Sequence, residues 1–234
     1  RFFKFLDTIG TKECRNKILA LQQYLLANKK QVLDKLKWYA KGQELTFEYM
    51  GSLEKAFEYR VLDYSFNFWQ FGSDCSKIPT NKNLDDYLDN LLEVSSLEYT
   101  GDKRVKELLP HYYMSESQSG YYVYDLTNLS KYLKYYKGQP SANLPPKDAQ
   151  YKVFDNSYLK NLLKWLDENG NNMIYINGSL DPYSSCRIIP SKKVNSKSYF
   201  LLNTDHSAAQ NFKNMPDDIQ KDFVETLSKM LGLN

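Results

Sequence analysis

Met173-Ile174-Tyr175-Ile176-Asn177-Gly178-Ser179-Leu180-Asp181-Pro182-Tyr183 and Ser198-Tyr199-Phe200-Leu201-Leu202-Asn203-Thr204-Asp205-His206 are the two stretches on which the fold turns. Each opens with a short apolar run rich in Ile, Tyr and Phe and breaks into turn residues, the grammar of a strand followed by a loop. The near-continuous apolar character predicts strands covered on both faces, as in a parallel sheet. A helix is expected before the first strand, over about Asn156 to Asn169 and ending at Gly170. Another is expected after the second, over about Pro216 to Leu231, with Phe223, Val224, Leu227, Met230 and Leu231 on one face. Helix, strand, strand and helix predict the closing part of a larger α/β sheet, because two strands cannot make such a sheet alone. The residues before 140 supply no further strand pattern.

Upstream the pattern is helical. Thr11 reads as an N-cap ahead of a stripe from Ile18 through Leu21, Leu25, Leu26, Val32, Leu33 and Leu36 to Trp38, interrupted at Gly42. A second helical stretch is expected over roughly Leu45 to Gln70, and a shorter one near Leu84 to Val94. Tyr112 to Tyr124 is dense in Tyr and Ser without clean periodicity. The stretch Gly138-Gln139-Pro140-Ser141-Ala142-Asn143-Leu144-Pro145-Pro146 reads as a linker.

Composition narrows the class. The 234 residues are 42% apolar and 25% charged, enough for one core or one and a half and unlike a disordered chain. The net charge is only +3 and the 31 Lys and Arg are dispersed, which argues against a nucleic-acid partner. No apolar run is long enough to span a bilayer. Aromatic content is 15%, with 20 Tyr, a side chain suited to the walls of wet clefts. Cys14, Cys75 and Cys186 fit no metal-ligand spacing; one disulfide with a spare thiol and three buried thiols both suit them. The chain opens on Arg1-Phe2-Phe3 with no leader pattern, and a processed or fragmentary chain is expected from that.

Functional groups of open α/β sheets sit in loops at the carboxyl ends of strands. Asp181 follows the first strand and His206 the second, one crossover apart. A carboxylate and an imidazole after successive late strands match the acid-then-base order of α/β hydrolases, in which the acid fixes the imidazole tautomer. Each residue alone is unremarkable, since Asp before Pro is common in turns. Asp205 is a rival for the acid, ranked lower because adjacent side chains at a strand end point apart. No Gly-x-Ser-x-Gly elbow is present, so the chain carries an expected acid and base without a nucleophile.

Asn177-Gly178-Ser179-Leu180-Asp181-Pro182-Tyr183 resembles the acid-bearing motif of the lysosomal Pro-X carboxypeptidase and dipeptidyl peptidase kind, and more closely that of secreted bacterial peptidases of the tripeptidyl or prolyl aminopeptidase-like family. Three further segments are similar to that family: Arg1 to Arg15, Leu62-Asp63-Tyr64-Ser65-Phe66-Asn67-Phe68-Trp69-Gln70-Phe71-Gly72, and Tyr112-Tyr113-Met114 through Gly120-Tyr121-Tyr122-Val123-Tyr124-Asp125. The resemblance implies an α/β-hydrolase fragment: a mostly helical cap over residues 1–145, then the last strands and helices of the parallel core over 146–234. It implies Asp181 and His206 as catalytic residues of a serine exopeptidase acting at the amino end of peptides, with the Ser in an N-terminal half of the core outside this chain. It further implies a secreted, periplasmic or cell-surface location and no cofactor or metal. Trp69, Tyr183, Glu116 and Gln118 are the expected substrate-binding residues. Gln118 stands where the family motif has Glu; an amide is a weaker partner for a peptide ammonium, and Glu116 is the nearby substitute. The alternatives are a serine carboxypeptidase-like hydrolase and a non-catalytic helical binding protein on a degenerate hydrolase scaffold.

Overall fold

The computed structural model describes residues 2–139, 141, 142, 144, 153–210 and 212–233. The chain forms two compact units, one of Arg1–Phe68 with Ser73–Asn156 and the other of Trp69–Gly72 with Ser157–Asn234. The expected boundary at 145/146 lies outside the described residues. Among the described residues no helix is long and apolar enough to cross a membrane.

The N-terminal unit is helical. Helix α1 spans Phe2–Leu6 and α2 spans Lys12–Ala27. Thr11 caps α2 by accepting a hydrogen bond from the Cys14 amide at 3.1 Å. The long stripe expected through Trp38 is two helices, because α2 ends at Asn28, whose side-chain amide donates to the Tyr24 carbonyl at 2.8 Å. Helix α3 then runs Lys29–Gly42. It buries Val32 and Leu36, whereas Trp38 leaves the stripe and is 75% exposed.

Helix α4, Leu53–Gln70, starts later than the periodicity predicts. The reason is Asp102. Its carboxylate accepts from the Thr46 hydroxyl at 2.5 Å and from the amides of Glu48 and Tyr49 at 2.9 and 2.8 Å. Those two amides are satisfied by a side chain from another part of the chain, so Glu48 and Tyr49 have no need of helical carbonyls. Burial alone would raise the Asp102 carboxyl, but these bonds outweigh it and hold the group below its usual range.

Helix α5 runs Leu84–Val94 and is capped by Asn83, which accepts from the Asp85 amide at 2.9 Å. Helix α6, Asp102–Met114, has no counterpart in the sequence reading. Pro110 and the Tyr-rich continuation mask it, although Val105 and Tyr112, both buried, share a face two turns apart. A π-helical turn, Ser115–Ser119, follows and closes on Gly120, whose φ of +75° favours glycine.

The core of this unit is built around α4, where every residue from Ala56 to Tyr64 is buried. Apolar packing comes from Leu21, Leu25, Leu36, Phe57, Val61, Leu62, Leu91 and Leu97. The same helix also buries Glu58, Arg60 and Asp63. Glu58 accepts from Lys29 Nζ at 2.6 Å and from the amides of Lys134 and Tyr135 at 2.7 and 2.8 Å. Asp63 is ion-paired with Arg60 and accepts from the hydroxyls of Tyr122 and Tyr124 at 2.8 and 2.6 Å.

The cysteine alternatives resolve into a Cys14–Cys75 disulfide and an exposed free Cys186. The bridge spans a sequence separation of 61. Loop entropy for a ring of that size predicts a loss of about 4 kcal/mol when the bond is removed. Denaturant unfolding with and without reductant checks this, and an unchanged midpoint would contradict it.

The C-terminal unit holds helix α7, Ser157–Asn169, strand β1, Ile174–Gly178, strand β2, Lys197–Leu201, and helix α8, Asp217–Leu231. The strands pair in parallel, in register from Ile174 opposite Lys197 to Gly178 opposite Leu201. Tyr199, Leu201, Ala208 and Met215 form the buried cluster. Ile174 and Ile176 of β1 and Ile219 and Phe223 of α8 pack against it. Gly232, in the left-handed conformation, ends α8.

Candidate active site

The site is made where the two strands end. Gly178 is not the turn residue that Asn177-Gly178 predicts; it is the last residue of β1, paired with Leu201. Glycine is required there by close approach, because a Cβ would lie 2.2 and 2.3 Å from the carbonyl oxygens of Thr204 and Asp205. The two post-strand loops therefore run against each other. The Ser179 amide donates to the Leu201 carbonyl at 2.8 Å and the Leu180 amide to the Thr204 carbonyl at 2.9 Å. The Ser179 hydroxyl accepts from the Asn203 amide at 2.8 Å.

Asp181 is set by local rules. Preceding Pro182, it is driven to extended backbone, φ −74° and ψ 120°. Pro182 then opens a short 3₁₀ turn, Pro182–Cys186. One carboxylate oxygen caps that turn, accepting from the Tyr183 amide at 2.9 Å. The other lies 2.8 Å from His206 Nδ1. The Asp181 side chain is 9% exposed and the His206 side chain 50% exposed. A buried carboxylate thus carries a half-exposed imidazole.

His206 is placed from a second side. Its amide donates at 3.1 Å to the carbonyl of Gln70, the last residue of α4. Asp205, the rival acid, is engaged elsewhere. It accepts from the Ser207 amide and hydroxyl at 2.8 and 2.6 Å. Its other oxygen sits where a Cβ on Gly72, at φ +69°, would come within 2.0 Å. Gly72 and Gly178 are both essential to this packing. No local sequence signal distinguishes them, because the backbone and side chain they accommodate lie far away in the chain.

The chemistry follows from the geometry. An ionised carboxylate only accepts, so His206 Nδ1 donates to Asp181. In the neutral ring that tautomer leaves Nε2 as the lone-pair nitrogen. Such an imidazole can take a proton at Nε2 while the carboxylate stabilises the imidazolium. The Tyr183 ring lies 5.3 Å from the imidazole, centroid to centroid.

Asp181, Tyr183 and His206 are therefore gathered in one place. Trp69 belongs to the same unit and is buried, 5% exposed. Glu116 and Gln118 belong to the N-terminal unit, on the π-helical turn. Glu116 is half-buried and accepts from the Ser141 hydroxyl, whereas Gln118 is exposed. Among the described residues no group of three or more His, Cys, Asp or Glu side chains could hold a metal ion.

A carboxylate-bound imidazole at the ends of two parallel strands is an arrangement that acyl-transfer enzymes also use. The chain belongs to the PS-10 peptidase S37 family, whose model matches residues 1–226. The bacterial serine peptidases expected from the resemblance are thus its relatives. It is 29% identical over 188 residues to the prolyl tri/tetrapeptidyl aminopeptidase of Streptomyces mobaraensis, an alignment covering 77% of this chain and 38% of that protein. No solved structure matches the chain.

Proposed function

We propose that this chain carries the cap and the closing part of the α/β-hydrolase core of a secreted serine exopeptidase that releases short peptides from the amino end of its substrates. The observation that carries the reading is the 2.8 Å bond between Asp181 and His206 Nδ1 in a chain of a peptidase family. In this reading a Ser from an N-terminal part of the same core attacks the scissile carbonyl. His206 Nε2 takes the hydroxyl proton and returns it to the leaving amine, and Asp181 steadies the imidazolium. Residues 1–145 act as the lid that restricts entry to chain ends. Two facts support a nucleophile from outside: the 234 residues hold no Gly-x-Ser-x-Gly, and the alignment with the Streptomyces relative covers 38% of that protein.

The test is an assay of the complete protein on a proline-containing tripeptidyl anilide with a free amino end and on its N-acetylated twin. Hydrolysis of the first and poor hydrolysis of the second is the expected result, with no turnover by the 234-residue chain alone. Preference for substrates with a free carboxyl end would replace this reading by the carboxypeptidase-like one. Peptide binding without any cleavage would leave the non-catalytic binding protein.

A further inference from the structure

With its side chain 50% exposed, His206 has little packing to fix the ring, so the placing of its backbone decides where Nε2 comes to lie. That backbone is closed into a turn twice over, both times by Asp205. The Asp205 carbonyl accepts from the Ala208 amide at 3.2 Å, which makes Asp205 the first and His206 the second residue of a four-residue turn. One oxygen of the Asp205 carboxylate accepts from the Ser207 amide and hydroxyl at 2.8 and 2.6 Å. The side chain before His206 is thereby clipped to the residue after it.

The clipped turn is seated within the C-terminal unit, to which Trp69–Gly72 also belong. Ahead of it, the Thr204 carbonyl accepts from the Leu180 amide at 2.9 Å, and the Thr204 and Asp205 carbonyls occupy the space that a side chain at Gly178 would need. Two further contacts come from the 69–72 segment. The Gln70 carbonyl accepts from the His206 amide at 3.1 Å, and the second Asp205 oxygen fills the space of a Cβ on Gly72. A methyl group there would overlap the carboxylate and push it off Ser207. The φ of +69° at Gly72 independently favours glycine.

We propose that Asp205 is a positioning residue for the base: its clip on Ser207, seated against Gly72, holds the His206 backbone so that the imidazole meets Asp181 and presents Nε2 to the reacting group. The two carboxylates then have separate tasks. Asp181 acts on the ring, and Asp205 acts on the backbone that carries the ring. The proposal rests on the exopeptidase reading above, in which His206 moves the proton. Its physical content is preorganisation, since a displacement of about 1 Å at a proton-transferring atom costs on the order of 100-fold in rate.

The experiment uses the complete peptidase and the free-amino tripeptidyl anilide, with kinetics read well below the unfolding midpoint of each variant. Asp205→Ala is expected to lower kcat by roughly 10- to 100-fold while KM holds. Asp205→Asn, whose side-chain oxygen can still accept from Ser207, should keep most of kcat. Gly72→Ala should lower kcat as Asp205→Ala does, and the double variant should be no worse than the worse single, because both act through one carboxylate. Three results overturn the proposal while leaving the exopeptidase reading intact: an Asp205→Ala kcat within threefold of wild type, an Asn variant as poor as Ala, or losses that multiply in the double variant. Hydrolysis that survives His206→Ala overturns both.

Discussion

In the complete peptidase, His206→Ala is expected to lower kcat by on the order of 10⁵ to 10⁶, and Asp181→Asn by roughly 10⁴. The order follows from the proposed roles. Without the imidazole no group at this position takes the nucleophile's proton. With Asn at 181 the imidazole remains, but an amide offers an N–H as well as an oxygen to Nδ1. Donation from that amide favours the ring tautomer protonated at Nε2, which can no longer accept a proton there. The Asn oxygen can still cap the Pro182–Cys186 turn through the Tyr183 amide, now at 2.9 Å, so the loop should keep its shape. Steady-state kinetics on a tripeptidyl anilide measures both losses, and unchanged circular dichroism excludes misfolding as their cause. Activity within tenfold of wild type in either variant would remove these residues from the mechanism.

Glu58→Ala is expected to destabilise the N-terminal unit by about 3 to 5 kcal/mol, a large share of the roughly 5–15 kcal/mol of an ordinary domain. The carboxylate is fully buried and gathers Lys29 Nζ with the amides of Lys134, Tyr135 and Tyr136. Truncation leaves a largely buried ammonium and backbone donors without their acceptor, and each lost partner carries its own desolvation cost. The segment around 133–136 has little regular structure beyond a short 3₁₀ turn at Ser130–Tyr132, so its backbone depends on this side chain. Denaturant unfolding of the Glu58→Ala and Glu58→Gln variants measures the effect. Gln keeps an acceptor and should lose less; equal losses would mean that the charge rather than the hydrogen bonding dominates.

The legible parts of this protein were those governed by near neighbours in the chain. Helix α5 falls on Leu84–Val94 as the periodicity predicts, and the strands and α8 start within about a residue of their expected positions. Asp181 and His206 could be singled out because each follows its own strand, and strand ends are local features. The parallel pairing that brings them to 2.8 Å is consistent with the apolar character of both runs. Sequence reasoning lost its hold where a distant group replaced a local one. Residues 45–52 have helical periodicity, yet the Asp102 carboxylate takes the amides of Glu48 and Tyr49. Helix α6 was hidden because Pro110 reads as a breaker.

By itself, the sequence determined the helical character of the first part, the strand–loop–strand grammar of the last, the family, and the two residues on which the chemistry is proposed to rest. Only the tertiary structure decided that Gly178 is glycine for the sake of the Thr204 and Asp205 carbonyls rather than for a turn. It also decided that Asp205 serves Ser207 while Asp181 serves His206, and that Glu58, Arg60 and Asp63 face the core of an all-round buried helix. Periodicity records which side chains prefer water. A buried charge contradicts that preference unless its partners are present, and here those partners lie dozens of residues away, where no local pattern can announce them.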